Sequence, residues 1–310
     1  MKKLLSLLMA LCIMLSMSIV AVNADETTTA AKETKYDITI VDNTVTPAVT
    51  YTVTGAELDK LASTKGHSFS GINNQGTVNF EKNLYGVELK TLLTKNKIKF
   101  KNVKSIEFDA SGDKTTLNTS DLFAKRYYYS KLDKLNSVQG KTLVEKAKKN
   151  AKVVAPIIAL GDENAQNAKL YFGQKYASER NWPKFWGNVT TITVNKTAAK
   201  SEIWETPELT LAKEVKIGTA VSFKSTKGFI YYTMNGKEPL EKNAFVYNYG
   251  PKQNLVNAKV FKKAGKYTVK AVIKGFGKKD SKVKTFKVKV LSAKAYDKKY
   301  PSTSADANVK

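Results

Sequence analysis

Cysteine is almost missing from this chain: Cys12 is the only one in 310 residues, and His67 is the only histidine. Acids are scarce beside bases, 27 Asp+Glu against 52 Lys+Arg, which leaves a formal net charge of +25. No Walker A, Rossmann or zinc-ligand motif is present. Asp162 and Glu163 adjoin Gly161 without the Asp-x-Asp-x-Asp-Gly spacing that a calcium loop needs. Nucleotide binding through those motifs, EF-hand calcium binding and zinc-finger chemistry are therefore excluded.

The single cysteine lies in a targeting segment. Lys2 and Lys3 precede the apolar run "LLSLLMALCIMLSMSIVAV", and Val22-Asn23-Ala24 offers small residues at a cleavage site. Residues 1–24 read as a signal peptide cut after Ala24, with a retained anchor as the alternative. Leu11 before Cys12 is too large for a lipoprotein signal. The mature chain then holds no cysteine, so it can form neither a disulfide nor a thiolate metal site. Export without disulfides fits a Gram-positive bacterium, the product being secreted or held at the cell surface.

Hydrophobic spacing organises the rest. Residues 25–35 are a polar lead-in. Ile38 and Ile40, then Val49, Tyr51 and Val53, alternate as strands about a turn. Thr54 and Glu57 form a capping box ahead of Leu58 and Leu61. Residues 64–77, including "HSFSGINNQG" (67–76), have loop composition. Val87, Leu89, Leu92 and Leu93 fall at near-helical spacing. Ile106, Phe108 and Ala110 alternate, and Ser120 is placed to cap a short helix at Asp121. "VVAPIIAL" (153–160) reads as a buried strand with Pro156 at a bulge or edge. "TITV" (191–194) closes the first unit, 36–197. A polar linker, 198–206, leads to a second unit, 207–292, where "FIYYT" (229–233) precedes an Asn235-Gly236 hairpin turn. Residues 293–310 read as a disordered tail. The expected class is α+β, mostly β.

Charge concentrates in the second unit, where 19 lysines face 5 acids. Lysines on outward strand positions keep sheet edges soluble. They also attract polyanions: teichoic acid, acidic glycan or extracellular nucleic acid. Lys270 and Lys274 share one strand face, as do Lys287 and Lys289 on their own strand. Elsewhere, Arg180, Trp182, Phe185 and Trp186 of "ERNWPKFW" combine a cation with aromatic rings, a pattern that can stack on sugars or instead cover a core edge. Tyr127, Tyr128 and Tyr129 read as packing residues.

Two stretches carry resemblances. "YGVELKTLL" (85–93), "RYYY" (126–129), "LYFGQ" (170–174) and "GNVTTITV" (187–194) together resemble the sulfite-oxidase-like, molybdopterin-binding domain of clostridial surface proteins. "IYYTMNGKEP" (230–239) and "AGKYTVKAVIKGFGKKDS" (264–281) resemble the chitobiase/β-hexosaminidase C-terminal domain, an immunoglobulin-like β-sandwich. The first resemblance implies a metal-ligating cysteine in a Cys-x-x-Asn-like loop. Here that place holds Ser70 and Asn73, with Ser68 as the alternative position, flanked by His67. Serine oxygen is a hard, poorly ionised substitute for a thiolate. The resemblance also places Arg126 near a cofactor or anion. Molybdopterin is loaded before export in this family, whereas the Lys2-Lys3 signal lacks a twin arginine.

The residues therefore point first to a non-enzymatic binding protein without a cofactor, its cofactor loop degenerate. A molybdopterin-dependent oxidoreductase with an unusual ligand, and a carbohydrate-binding accessory protein, are the alternatives.

Overall fold

Ile38, Ile40 and Val53 are almost wholly excluded from solvent, whereas the residues alternating with them are not. That period of two makes strands β1 (Ile38–Asn43) and β2 (Val49–Val53) of a computed structural model describing residues 36–73, 77–135, 140–161, 168–224, 226, 228–247 and 258–301. The expected signal peptide and lead-in, Asp162 and Glu163 lie outside the described residues, as does the end of the expected disordered tail. Among the described residues no helix is long and apolar enough to cross a membrane.

The class is α+β and mostly β. One sheet runs β2-β1-β11-β5-β6, adding β5 (Ser105–Ala110), β6 (Asp113–Asn118) and β11 (Thr191–Asn195). A second runs β10-β9-β4-β3, from β3 (Ser63–Ile72), β4 (Val78–Glu88), β9 (Ile157–Ala159) and β10 (Lys169–Tyr171). Their inner faces bury one core that includes Phe69, Val87, Phe108, Ile158 and Ile192. The helix Gly55–Leu61 starts with the expected box: Thr54 Oγ1 accepts from Glu57 N at 3.3 Å, and Glu57 Oε2 accepts from Thr54 N at 2.8 Å.

Several expectations are corrected. Residues 63–72 are a strand rather than part of a loop, because Ser70, Gly71 and Ile72 pair with Phe80, Asn79 and Val78. "VVAPIIAL" is not one strand. Proline lacks the N–H that would continue the ladder, and at Pro156 the chain changes partners. Ala151–Val154 (β8) pairs with Arg126–Tyr129 (β7), whereas β9 pairs with β4 and β10. Val153 is accordingly 63% exposed. The short helix Thr119–Leu122 begins one residue before Ser120, after Asn118. Gly236 has the expected positive φ of 76°. It makes no two-residue hairpin, because β13 (Phe229–Thr233) and β14 (Phe245–Tyr247) are joined by a longer segment.

The second unit is a five-stranded sheet, β12-β16-β15-β13-β14, built with β12 (Glu214–Lys216), β15 (Gly265–Lys274) and β16 (Lys284–Leu291). One face carries Ile230, Tyr232, Val269, Ile273, Val288 and Val290 into a core with Val221, Phe223 and Phe261. Among the described residues the layer opposite is irregular, with isolated bridges such as Leu209 to Phe223 and Ala220 to Val260.

The two units are not loosely joined. Phe229, Tyr231, Val246 and Val272, on the sheet's other face, share a buried cluster with Ile72, Tyr129, Leu132 and Ala177 of the first unit. Phe172 meets Phe276 at 4.5 Å. The expected linker is strapped to both sides. Asn118 Nδ2 donates to Ala199 O at 3.1 Å, while Trp204 N donates to Lys279 O at 3.0 Å. Trp204 lies against Gly228 and Gly275, where a Cβ on Gly275 would come within 2.8 Å of the indole. The tail also starts in order: Ala293–Lys299 is a helix capped by Ser292.

Candidate functional site

Ser70 is fully buried in β3. Its hydroxyl donates to Gln174 Oε1 at 2.7 Å and accepts from Tyr129 N at 2.9 Å. Gln174 Nε2 passes the chain on, donating to Ala177 O at 3.1 Å and Glu179 O at 3.0 Å. Arg126, also fully buried, donates from Nη1 to Glu179 Oε2 and Gly173 O, both at 2.8 Å, and from Nη2 to Asp121 O at 2.8 Å. Gly173 is required at the crossing, because a Cβ there would stand 2.7 Å from Tyr127 O. The structure thus joins Ser70 and Arg126 through Gln174 and Glu179 into one internal network.

That network does not fit a molybdopterin site. The hydroxyl that would replace the thiolate is committed to two partners, and the guanidinium spends its donors on backbone carbonyls and a carboxylate. His67 stands apart from the network. Burial lowers its pKa, partly opposed by Glu88 and by a backbone hydrogen bond with Gly86, and its Nε2 is buried without a partner among the described residues. Asn73 closes the β3–β4 turn by accepting from Thr77 N at 2.9 Å. Ser68 is half-buried in β3.

The aromatic segment is drawn into the core edge rather than offered as a platform. Phe185 is buried against Tyr171 at 5.0 Å and Phe172 at 5.1 Å. Trp182 lies 5.0 Å from Phe185, and Trp186 packs on the same core. Arg180 is buried with its guanidinium 3.9 Å over the Phe229 ring of the other unit, and desolvation lowers its pKa to about 10.

The lysines behave differently. In the β15–β16 register Lys266 faces Lys289, Thr268 faces Lys287 and Lys270 faces Thr285. Directly opposed residues share a face, so Lys266, Lys270, Lys274, Lys287 and Lys289 all lie on one side. Half of that side is covered by the first unit; the half bearing Lys266, Lys287 and Lys289 is exposed. Three of the four predicted lysines are in ion pairs: Lys270 with Glu238, Lys274 with Asp280 at 2.9 Å, and Lys289 with Glu214 at 3.0 Å. Lys287 Nζ donates to Thr268 Oγ1 at 2.8 Å. Glu214 also accepts from Lys299 at 2.6 Å and from Tyr300, and these partners hold its carboxyl down to about 2. Exposed pairs of this kind are worth little and exchange readily.

A groove of about 800 Å³ runs beside these strands, walled by Leu209, Leu211, Lys213, Lys266, Lys287 and Lys289 among others, with Glu214 the one acid in its lining. Sequence reasoning passed over Lys266, which the strand register places, and Lys213, which only the groove's lining reveals. The chain matches no protein-family model, and comparison with curated proteins finds no match either.

Proposed function

We propose that this is a non-enzymatic binding protein, secreted or associated with the cell surface, that holds polyanionic wall or matrix polymers on the lysine-lined groove of its second unit. The observation that supports this most directly is the groove's composition. Lysines 213, 266 and 287 line it, and its single carboxylate, Glu214, is already paired with Lys289 and Lys299. A flexible polymer with repeated negative charges gains from such a row by releasing counterions, without needing a rigid pocket. The apolar run behind Lys2 and Lys3 supports export to where teichoic acids, acidic glycans and extracellular nucleic acid occur.

The test is retention of the full mature chain on lipoteichoic acid over a salt series. Lys213→Glu, Lys266→Glu and Lys287→Glu together should abolish binding at physiological salt and flatten the salt slope. Equal retention of wild type and triple variant would sink this reading.

A further inference from the structure

Strand β16 is paired along only part of its outer edge. β12 meets Lys289, Val290 and Leu291, whereas residues 284–288 have no strand on that side among the described residues. Bonds already formed fix where the backbone points. Lys289 N donates to Lys213 O at 2.8 Å, and Leu291 O accepts from Ile217 N at 2.9 Å. Backbone groups in a ladder face the same side at every second residue, so the N–H and C=O of Thr285 and Lys287 also point away from β15. Both residues are exposed, and neither has a backbone partner on that side among the described residues. The chain leading into β12 turns off instead of meeting them: Thr210 N donates to Ser222 O at 2.9 Å, and Leu209 bridges to Phe223 in the opposite layer. The groove of about 800 Å³ lies in this gap, with Leu209, Leu211 and Lys213 on one flank and residues 285–289 on the other.

The two faces of the open edge differ in chemistry. Lys266, Lys287 and Lys289 stand on one side of the sheet. Phe286 and Val288 alternate onto the other, where Tyr267, Leu209 and Leu211 pack on the core of the second unit. Among the described residues Lys213, Lys266 and Lys287 make no ion pair, and Glu214, the one acid of the lining, is held by Lys289 and Lys299. An extended chain laid along 284–288 would alternate its side chains in step, one set among lysines and the next over apolar surface. A second copy of β16 does not suit the place, because it would set lysine against lysine.

We infer that β16 takes an extended acidic segment of a partner protein as an added strand: a peptide alternating carboxylate and apolar side chains, its backbone paired to Thr285 and Lys287. Ladder bonds supply affinity in such additions, and the alternate side chains supply specificity. This goes beyond retention of polyanions. It shares lysines with that reading but depends on the ladder, and either can fail without the other.

The probe is a blocked peptide, Gly-Asp-Val-Asp-Val-Asp-Gly, titrated against the full mature chain at low salt, where charge pairing is least screened. It should bind saturably, and about tenfold or more tighter than Gly-Asp-Asp-Asp-Val-Val-Gly, which has the same charge without the alternation. Two further versions carry N-methyl groups, one on the Asp nitrogens and one on the Val nitrogens. Only one set of nitrogens faces β16, so one version should lose about tenfold or more and the other should bind as before. Loss on the Asp nitrogens reports an antiparallel added strand, and loss on the Val nitrogens a parallel one. Bound peptide should slow amide exchange at Thr285 and Lys287. The proposal is overturned if the first peptide does not bind, if the two methylated versions bind alike, if the unalternated peptide binds as tightly, or if those amides are not slowed. Lipoteichoic acid retained without peptide binding overturns the added strand and leaves the polymer reading standing, and peptide binding without polymer retention does the reverse.

Discussion

Arg126 Nη1 lies 2.8 Å from Glu179 Oε2, and neither side chain reaches solvent. The guanidinium also sits 5.2 Å from the centroid of Phe172 and 4.8 Å from that of Phe276, so a buried ion pair of the first unit is roofed by a ring of the second. Removing one partner strands a buried charge, which costs about 3–5 kcal/mol, whereas replacing both by apolar groups costs far less. Arg126→Ala should lower the urea-unfolding free energy by about that amount, and Arg126→Met with Glu179→Leu should recover much of it. A loss below about 1 kcal/mol in the single variant would show that the pair is dispensable.

The shared cluster makes the units interdependent. Fully burying Phe229, Tyr231, Val246 or Val272 is worth roughly 1.5–3 kcal/mol each. Four such residues approach the whole stability of a typical domain, about 5–15 kcal/mol. Fragment 36–197 alone should therefore bind a hydrophobic dye and lack a cooperative thermal transition, while the full chain unfolds in one step. Independent, cooperative melting of 36–197 and 207–301 would contradict the shared core.

Ser70 carries a structural bond on each side. Ser70→Ala leaves Gln174 Oε1 and Tyr129 N short of a partner in a dry interior. The expected cost is about 1–3 kcal/mol. Denaturant midpoints for wild type, Ser70→Ala and Gln174→Leu decide it: the double variant should cost less than the two single costs added. Additive costs would mean that the two side chains are uncoupled.

His67 is the chain's only histidine, so its imidazole resonance is unambiguous. Burial lowers its pKa. The neutral ring therefore stabilises the fold above the unfolded value, and that stabilisation is lost as pH falls through the folded one. An NMR titration should place the midpoint in the native protein below that in urea. A midpoint at or above the urea value would reverse the assignment.

Glu241 shows the opposite sign. Burial at the seam pushes its carboxyl up to about 7, which Lys274, Lys148 and a backbone bond from Ala177 only partly offset. A carboxyl protonated more readily in the folded state stabilises below its unfolded pKa, near 4.3, and loses that contribution as pH rises through about 7. Glu241→Gln should thus gain on wild type between about pH 5 and pH 8 in urea midpoints. A difference that stays constant across this window would exclude the shift.

Local periodicity located some elements and missed others, among them β3, β4, β6 and β7. The alternation at Ile38 and Ile40 and the Thr54–Glu57 box are short-range facts, and both reappear in the structure as read. The loop expectation at 64–77 failed because small polar residues there pair along β4, a partner that composition does not reveal. The change in texture and charge after residue 207 was legible, and the strands beyond it form their own sheet. The buried cluster that ties this sheet to the earlier residues was not legible, because an apolar face carrying Phe229 and Tyr231 looks the same whichever part of the chain covers it.

What the amino-acid order determines unaided is the alternation that makes strands, the confinement of the one cysteine to position 12 and the excess of lysine. Which lysines act together was decided by tertiary structure alone. Alternation places Lys270 and Lys274 on one strand face and Lys287 and Lys289 on another. Only the β15–β16 register sets those faces on the same side of the sheet and adds Lys266. The fate of Ser70 and Arg126 was decided in the same way, since Gln174 and Glu179 reach them from more than fifty residues along the chain. A hydrogen bond or an ion pair depends on distance in space, and the sequence carries that distance only through the fold.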